Sequence, residues 1–474
     1  MQADKELPFT SATEIRNRIA TKDLSPVEVT QMYLERIERL DPQLNSFLTV
    51  TADKAIEAAR SAENAVLRGE SLGLLHGIPI SIKDSENTKG IRTTMGSLIY
   101  RNNIPDKNSL PVERLIKSGA IILGKTNCPE FALIGDTTNN LGSPCRNPWN
   151  PDLSPGGSTG GGAAALAAGL CSISQGSDGG GSIRGPASFC GIYGIKPSLG
   201  RVPRDTSPVA NSLVNLFSQH GPLARNVRDA ALMLQALSGW DKRDPAALRG
   251  SPEDYLKATS LDISEFTFGW SPDFGGFPVD PEVKKICSEA ALTLEDLGAG
   301  VEEYDINLKD PDKTFWTLTC TSVYARYGRF YKEHFESLMP YTRRKIEEGA
   351  NITGTDYVKA LGERDIIRAS FMRQFQKFDL LVNPTTAVTA FPVGQPTTKI
   401  GDYAVDEYEG YNPFNFNINM IGCPAASIPC GFTTSGMPVG LQIVGNFGEE
   451  SKVFAVSAAF ESARPWSQFR PIIS

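Results

Sequence analysis

The sequence predicts an α/β fold in which helices cover both faces of a β-sheet. Three observations lead to this prediction. Short apolar segments alternate with longer amphipathic ones through most of the 474 residues. Hydrophobic residues make up 40% of the chain and charged residues 21%, which is ordinary for a soluble protein with a sizeable core. Neither an internal repeat nor a low-complexity linker divides the sequence, so we expect one domain.

The first 70 residues are predicted to be helical. Ser11 and Ser25 each precede a glutamate by three residues, a spacing in which serine and glutamate cap the start of a helix. Pro26 also suits the first position of a helix. We therefore expect helices from these serines to about residue 20 and about residue 40, followed by a third over residues 53–68.

Beyond residue 70, predicted strands and helices alternate. Short apolar runs predict strands at residues 77–82, 120–123, 172–175, 266–270, 300–304, 380–383, 426–429 and 439–444. Apolar residues at helical spacing predict helices at residues 111–117, 163–168, 182–189, 227–237, 281–297 and 452–462. The expected single domain, residues 1–474, thus comprises N-terminal helices (1–70), a core that carries the candidate chemistry (71–230) and the remaining sheet, helices and pocket elements (231–474).

Charge and cysteine content exclude several classes of protein. The net charge of −7 and the absence of a basic run argue against nucleic-acid binding. The eight cysteines form no CxxC pair or zinc spacing, which is typical of reduced thiols in the cytoplasm. No apolar run reaches the roughly 18 residues that span a membrane, and the N-terminus lacks an apolar signal core. We expect a soluble cytoplasmic protein that binds neither nucleic acid nor membranes.

Two glycine-rich loops each carry a serine. Ser158 lies in Gly-Gly-Ser-Thr-Gly-Gly-Gly (156–162), and Ser182 follows the three glycines 179–181. Residues without a Cβ allow a backbone to approach a substrate closely and can turn several N–H groups toward one point. Such donors stabilise a developing oxyanion. The pair of loops therefore indicates a serine hydrolase with an oxyanion-binding loop before Ser182.

A lysine is the predicted base for these serines. The chain has three histidines, and no motif pairs one of them with a serine. Lys83 ends a predicted buried strand, where desolvation would favour its neutral form and let it accept a proton. The alternative for Lys83 is an ion pair with its neighbour Asp84.

Three other interpretations of the glycine motifs remain open in the sequence. Residues 156–160 match G-x-S-x-G, in which Ser158 would be the nucleophile and His220 or His334 its base. Residues 119–126 match the phosphate-binding pattern GxxxxGK[ST], but their variable positions are apolar and predict a buried strand, which disfavours nucleotide binding. Residues 160–165 resemble a dinucleotide-binding fingerprint, although no strand is predicted before them.

Taken together, these motifs closely resemble the amidase signature family of serine hydrolases. The resemblance extends from about residue 24 to residue 444 and is densest over residues 156–186. It implies a single α/β domain with a large mixed, twisted sheet, and a Ser–cisSer–Lys triad that needs no metal or organic cofactor. Within that triad Ser182 would be the nucleophile, Ser158 the bridging serine after a cis bond from Gly157, and Lys83 the general base.

The resemblance also implies roles for residues around the triad. The backbone amides from Gly179 to Ser182 would form the oxyanion hole. Thr159 replaces a serine that is usual in the family, and Gly179 replaces a threonine, so the oxyanion loop is expected to be looser. The segment 200–220 departs from the family pattern and suggests an unusual substrate entrance. The further implied residues are Gly180 and Gly181 in the oxyanion loop, Phe131 and Ala132 at the substrate, and Gly157, Ser177, Asp178 and Arg184 in support of the site.

The expected substrates are small molecules with a non-peptide amide bond, and esters and aryl carbamates are plausible on the same chemistry. An aromatic-rich segment, residues 315–331, could form a pocket wall or pack in the core. The main alternative is the glutamine-hydrolysing subunit of a tRNA-dependent amidotransferase. Glutamine-using members have an acidic residue near the position of Asn412, where this sequence has none, and the run 127–131 is more typical of stand-alone amidases. Both a monomer and a homodimer are compatible with the sequence.

Overall fold

The structure, a computed structural model, describes residues 6–204, 217–298 and 300–473. Within these ranges eleven strands form one sheet and two short strands pair separately. The strands are β1 (Phe47–Val50), β2 (Pro79–Lys83), β3 (Ile121–Thr126), β4 (Ile173–Asp178), β5 (Tyr193–Lys196), β6 (Gln219–Ala224), β7 (Thr267–Trp270), β8 (Gly300–Glu303), β9 (Leu380–Pro384), β10 (Lys399–Ile400), β11 (Tyr403–Ala404), β12 (Ala425–Phe432) and β13 (Pro438–Gly445).

The described residues also form fourteen α-helices. At the start of the second helix, Ser25 and Glu28 make the reciprocal bonds of a capping box, as the sequence predicted. The helices are α1 (Ala12–Ala20), α2 (Pro26–Leu44), α3 (Ala52–Leu67), α4 (Leu110–Lys117), α5 (Gly160–Ala167), α6 (Arg184–Cys190), α7 (Val227–Leu237), α8 (Tyr255–Ala258), α9 (Pro281–Asp296), α10 (Pro311–Glu333), α11 (Pro340–Asn351), α12 (Gly354–Gln374), α13 (Pro413–Ile421) and α14 (Glu450–Ala463).

The large sheet is mixed, with the strand order β1-β3-β2-β4-β6-β5-β12-β13-β9-β7-β8. Strand β2 runs parallel to both β3 and β4, and β7 runs parallel to β8 and β9. The other pairs are antiparallel. Because β2 and β4 are parallel neighbours, their carboxyl ends meet at one edge of the sheet. Lys83 at the end of β2 is therefore close to the glycine loop that follows β4.

Helices pack on both faces of this sheet, as predicted. One apolar cluster joins β2, β12 and β13 to helices α4, α7, α9 and α14. A second joins α2, α3, α5 and α6 to the other face, and a third, rich in phenylalanine, links α10, α12 and α13 to the sheet. Among the described residues, no helix combines the length and the apolar character that a membrane span requires.

The predicted strands and helices are confirmed, with shifted ends. Helix α6 begins at Arg184 rather than at Ser182, because the Asp178 carboxylate accepts the amides of Gly181, Ile183 and Arg184 and holds the chain in a turn before the helix. The sequence did not predict β6, which contains Gly221 and Pro222, residues that are rare inside strands. Strands β1, β5, β10 and β11 and helices α8 and α10 to α13 were also not predicted.

The segment 200–220, where an unusual substrate entrance was expected, lies partly outside the described residues. As the sequence indicated, the phosphate-loop pattern at residues 119–126 does not form a loop, and most of it is strand β3. Lys125 lies in β3, buried, and its Nζ donates to the Glu86 carbonyl at 2.6 Å and to Thr93 Oγ1 at 2.7 Å. The glycines of the dinucleotide-like pattern 160–165 lie within α5.

Candidate active site

Lys83 is a fully buried lysine at the end of β2. Its Nζ donates to Ser158 Oγ at 2.6 Å, to Ser177 Oγ at 3.1 Å and to the Ser177 carbonyl at 3.3 Å. The ion pair with Asp84 that we considered for Lys83 is not formed, since the carboxylate of Asp84 pairs with Lys125 at 3.6 Å. Lys83 is thus directed at a serine rather than at a counter-ion.

Burial makes Lys83 a better base than an exposed lysine. Removal from water lowers its pKa to about 8, and the nearby acidic side chains of Glu86 and Asp178 offset only part of this effect. At pH 7 a group with such a pKa is neutral in roughly one molecule in ten. The neutral amine keeps a lone pair that can accept the hydroxyl proton of Ser158 at the observed distance.

Ser158 lies at the N-terminal side of α5, in the first glycine loop. The Gly157–Ser158 peptide bond is cis, as the family resemblance implies. Ser158 is buried, and Gly157 approaches the backbone of residues 134–136 so closely that an added Cβ would lie 2.7 Å from the Asp136 nitrogen. The next amide, that of Thr159, donates to the Ser182 carbonyl at 3.1 Å and so joins the two serine-bearing loops.

Ser182 lies in the turn between β4 and α6 and lines the same pocket as Ser158. The pocket also contains Gly179 and Gly180, two residues of the predicted loop of backbone donors. Gly181 differs from this expectation, because its amide donates to Asp178 Oδ1 at 2.7 Å. The proposed oxyanion donors are therefore the amides of Gly179, Gly180 and Ser182. The amide of Gly181 instead stabilises the turn through its bond to Asp178.

Asp178 and Arg184 form a fully buried ion pair behind this loop. Arg184 donates to both carboxylate oxygens of Asp178 at 2.9 Å. Burial by itself would raise the pKa of Asp178, but the charge and hydrogen bonds of Arg184 outweigh it and hold the pKa below its usual value. The carboxylate remains ionised at neutral pH and accepts the loop amides described above. The pair shapes the turn on which Ser182 lies.

Loss of one partner of this pair is expected to destabilise the fold. Arg184→Met would leave the Asp178 carboxylate buried without its counter-ion, which costs about 3–5 kcal/mol in comparable buried pairs. Urea denaturation would measure the change in the free energy of unfolding. Arg68→Met, in the exposed pair with Glu70, is the matched control and should change it by less than about 1 kcal/mol. Equal effects of the two variants would contradict the role assigned to the buried pair.

The pocket around the serines has a volume of about 130 Å³ and a wall of mixed polar and apolar side chains. Helix α10 contributes Phe315, Leu318 and Val323, so the aromatic-rich segment provides part of the wall as well as core packing. Tyr327 on the same helix is buried and stacks on Phe131 with the ring centroids 4.0 Å apart. Both uses considered for this segment are therefore realised.

Phe131 and Ala132, which the family resemblance places at the substrate, line this pocket. Both have left-handed backbone conformations, with φ of 52° and 60°. Non-glycine residues in this region are uncommon and are held there by their surroundings. The Phe131 amide donates to the Met95 carbonyl at 2.8 Å, and its ring is fixed by the stack on Tyr327.

The structure describes both candidate histidines, and neither forms a hydrogen bond to Ser158 or Ser182. His220 lies in β6, where Nδ1 is 3.6 Å from Glu86 Oε1 and 3.3 Å from Gln175 Nε2. His334 is exposed at the end of α10 and packs against Phe330. Because Ser158 Oγ bonds to Lys83, the geometry does not support a Ser–His site on Ser158. Within the described ranges, no group of three His, Cys, Asp or Glu side chains could hold a metal ion.

Sequence reasoning missed the polar residues that α13 brings to the site. Asn412 precedes this helix and lines the pocket, and Asn419 donates to the Asp178 carboxylate at 3.0 Å. Asn415 lies between them, so the three amides share one helix face by their spacing of three and four. That spacing was the available signal.

The expectation that no acid lies near Asn412 is wrong. Glu409 lines the same pocket and pairs with Lys345, whose Nζ is 3.0 Å from Glu409 Oε1. Lys345 also donates to the Leu133 carbonyl at 2.9 Å. The sequence did not connect these residues because 64 positions separate them and only the packing of α11 brings them together. Arg326, partly buried on α10, adds a further cation to the wall.

Comparison with known proteins gives the family of this chain. The sequence profile of the family described as Amidase matches residues 28–454. Among the relatives is the A subunit of the glutamyl-tRNA(Gln) amidotransferase of Thermosynechococcus vestitus. The chain is 37% identical to it over 97% of this chain and 98% of the relative.

Two solved structures are also similar. A bacterial aryl acylamidase of the amidase signature family superposes with a TM-score of 0.91 at 32% identity, covering 97% of each chain. The corresponding component of the glutamyl-tRNA(Gln) amidotransferase of Thermotoga maritima superposes with a TM-score of 0.80 at 29% identity, covering 99% of each chain. With its mixed α/β sheet and these matches over nearly its whole length, the chain belongs to the amidase signature family of hydrolases.

Proposed function

We propose that this protein is a stand-alone amidase that hydrolyses small aryl and alkyl amides through an acyl-enzyme on Ser182. The observation that carries the proposal is the 2.6 Å contact between the buried Lys83 Nζ and Oγ of Ser158, which lines the same pocket as Ser182. A buried base, a bridging hydroxyl and a second hydroxyl beside backbone amides are the parts that acyl transfer requires.

The mechanism follows from these positions. Neutral Lys83 accepts the proton of Ser158, which accepts that of Ser182, and Ser182 Oγ forms a bond to the substrate carbonyl carbon. The amides of Gly179, Gly180 and Ser182 stabilise the oxyanion. The proton returns through Ser158 to the leaving amine as the C–N bond breaks. Water then attacks the acyl-enzyme by the same relay and releases the acid.

Substrate class is inferred from the wall of the pocket. Phe131, Phe315 and Leu318 present apolar surface on which an aryl or alkyl group can pack. The similarity to a bacterial aryl acylamidase supports the same class. Because the acyl-enzyme step needs only an activated carbonyl and a leaving group, esters and aryl carbamates are included as further substrates.

A hydrolysis panel on the purified chain tests the proposal. It contains anilides, small aliphatic amides, p-nitrophenyl esters, aryl carbamates and L-glutamine. We expect turnover of anilides and esters without a partner protein or added metal, and covalent labelling of Ser182 by a fluorophosphonate, located by peptide mass spectrometry. Labelling of another residue, or no turnover of any amide, would overturn it.

The second candidate is the glutamine-hydrolysing subunit of a tRNA-dependent amidotransferase. It is favoured by the 37% identity to a component of a glutamyl-tRNA(Gln) amidotransferase over nearly the whole chain. Glu409, paired with Lys345 in the pocket, offers a carboxylate that could contact a substrate ammonium group. Activity confined to L-glutamine, or activity only in the presence of partner subunits, would favour this candidate over the stand-alone amidase.

A further inference from the structure

The peptide between Gly180 and Gly181 is held at both of its polar ends. Its carbonyl oxygen, on Gly180, accepts a hydrogen bond from Asn412 Nδ2. Its amide, on Gly181, donates to Asp178 Oδ1 at 2.7 Å. The carbonyl and amide of a trans peptide point in opposite directions, so the two bonds fix the orientation of the peptide plane. The amides of Gly180 and Ser182, on either side of this plane, are oriented with it.

The side chain of Asn412 is itself fixed. Asn415 Nδ2 donates to Asn412 Oδ1 at 2.6 Å and to the Thr385 carbonyl at 2.6 Å. Because Asn412 Oδ1 accepts from Asn415, the amide nitrogen of Asn412 is the atom that faces the Gly180 carbonyl. Asn415 is in turn tied to the site by its own carbonyl, which accepts from Arg184 at 3.2 Å.

The contact between Asn412 and the Gly180 carbonyl is possible only because residue 181 is glycine, which has no Cβ. A Cβ at position 181 would lie 2.7 Å from Asn412 Nδ2 and 2.7 Å from the Cβ of Asn415, and φ at this residue is +117°. On the other side, Phe315 packs so closely that a Cβ on Gly180 would lie 2.9 Å from its ring. The loop is thus enclosed by α10 and α13 and by the Asp178 carboxylate.

We propose that Asn412 is a positioning residue that aligns the oxyanion loop through the Gly180 carbonyl. This inference rests on the proposed function, in which the neighbouring amides stabilise the oxyanion. Asn412 acts through the loop, so its loss should weaken binding of the tetrahedral state more than binding of the ground state. We therefore expect loss of the Asn412 side chain to lower kcat more than it weakens substrate affinity.

Asn412→Ala tests the proposal with an anilide substrate and two inhibitors. A trifluoromethyl ketone adds to Ser182 and reproduces the tetrahedral oxyanion, whereas the aniline product has no carbonyl oxygen for the loop amides to bind. We expect kcat to fall about 10–100-fold, less than for loss of an oxyanion donor itself. KM and aniline binding should change less than threefold, and ketone affinity should weaken in proportion to kcat/KM. Asn412→Asp keeps the shape but removes the donor and should give the same pattern.

Asn417→Ala, on the helix that Asn412 precedes, is the matched control. Asn417 is also buried, but its amide donates to the Pro413 carbonyl of its own helix at 2.8 Å. We expect its kcat and ketone affinity to remain within threefold of wild type. Unchanged ketone affinity in Asn412→Ala, a change in KM alone, or the same pattern in Asn417→Ala would overturn the proposal. An inactive wild type that forms no ketone adduct would overturn the proposed function as well, so the two failures are distinguishable.

Discussion

Replacement of Ser182 by alanine is expected to lower kcat/KM for an anilide by more than about 10⁴-fold, because no acyl-enzyme can form. The fold should be retained, since Ser182 lies partly exposed in the pocket and its removal leaves no buried polar group unpaired. Steady-state hydrolysis would measure the loss of activity, and thermal unfolding would show whether the domain is intact. Covalent labelling by a fluorophosphonate should disappear together with turnover.

The Ser158→Ala variant distinguishes the role of Ser158 from that of Ser182. If Ser158 only relays the proton, this variant should lose most of its activity but still be labelled slowly at Ser182. If Ser158 were the nucleophile, labelling would instead persist in Ser182→Ala and vanish in Ser158→Ala. That second pattern would contradict the assignment and favour the G-x-S-x-G interpretation of residues 156–160.

The sequence could predict the positions of Lys83, Ser158 and Ser182 because their signals are local. Glycines flank both serines, and an apolar strand precedes the lysine. The turn that holds Ser182 was predictable in position but not in detail. Its shape depends on Asp178, which accepts the Gly181 amide and so removes it from the expected oxyanion donors.

Residues that reach the site from the second half of the chain could not be predicted in the same way. Asn412 lies 232 positions from the glycine whose carbonyl it binds, and Glu409 lies 64 positions from its partner Lys345. These contacts depend on how α10, α11 and α13 pack against the sheet. Strand β6 shows the same limit, since tertiary pairing on both sides outweighs the weak strand preference of Gly221 and Pro222.

Conversion of Lys83 to methionine should remove the ionisation that controls activity. The neutral lysine is the active form, so wild-type kcat/KM should rise with pH and level off above the pKa of Lys83, which burial lowers to about 8. Lys83→Met should lower kcat/KM by about 10²–10⁴-fold, the usual contribution of a general base. Its residual activity should lack the ionisation near pH 8 in a profile measured from pH 6 to pH 10.

The pH profile of a variant at a second buried lysine, Lys196, shows which of the two lysines titrates. Burial lowers the pKa of Lys196 to about 7, and its Nζ donates to the carbonyls of Cys423 and Pro197 rather than to a serine. An ionisation in the wild-type profile could therefore come from either lysine. A folded fraction that is constant over this pH range scales the profile without changing its shape, so Lys196→Met is compared after circular dichroism at each pH has shown that its folded fraction does not change. If Lys83 is the base, the ionisation near pH 8 persists in Lys196→Met and is lost in Lys83→Met; the reverse would assign the titration to Lys196 and remove Lys83 from the relay.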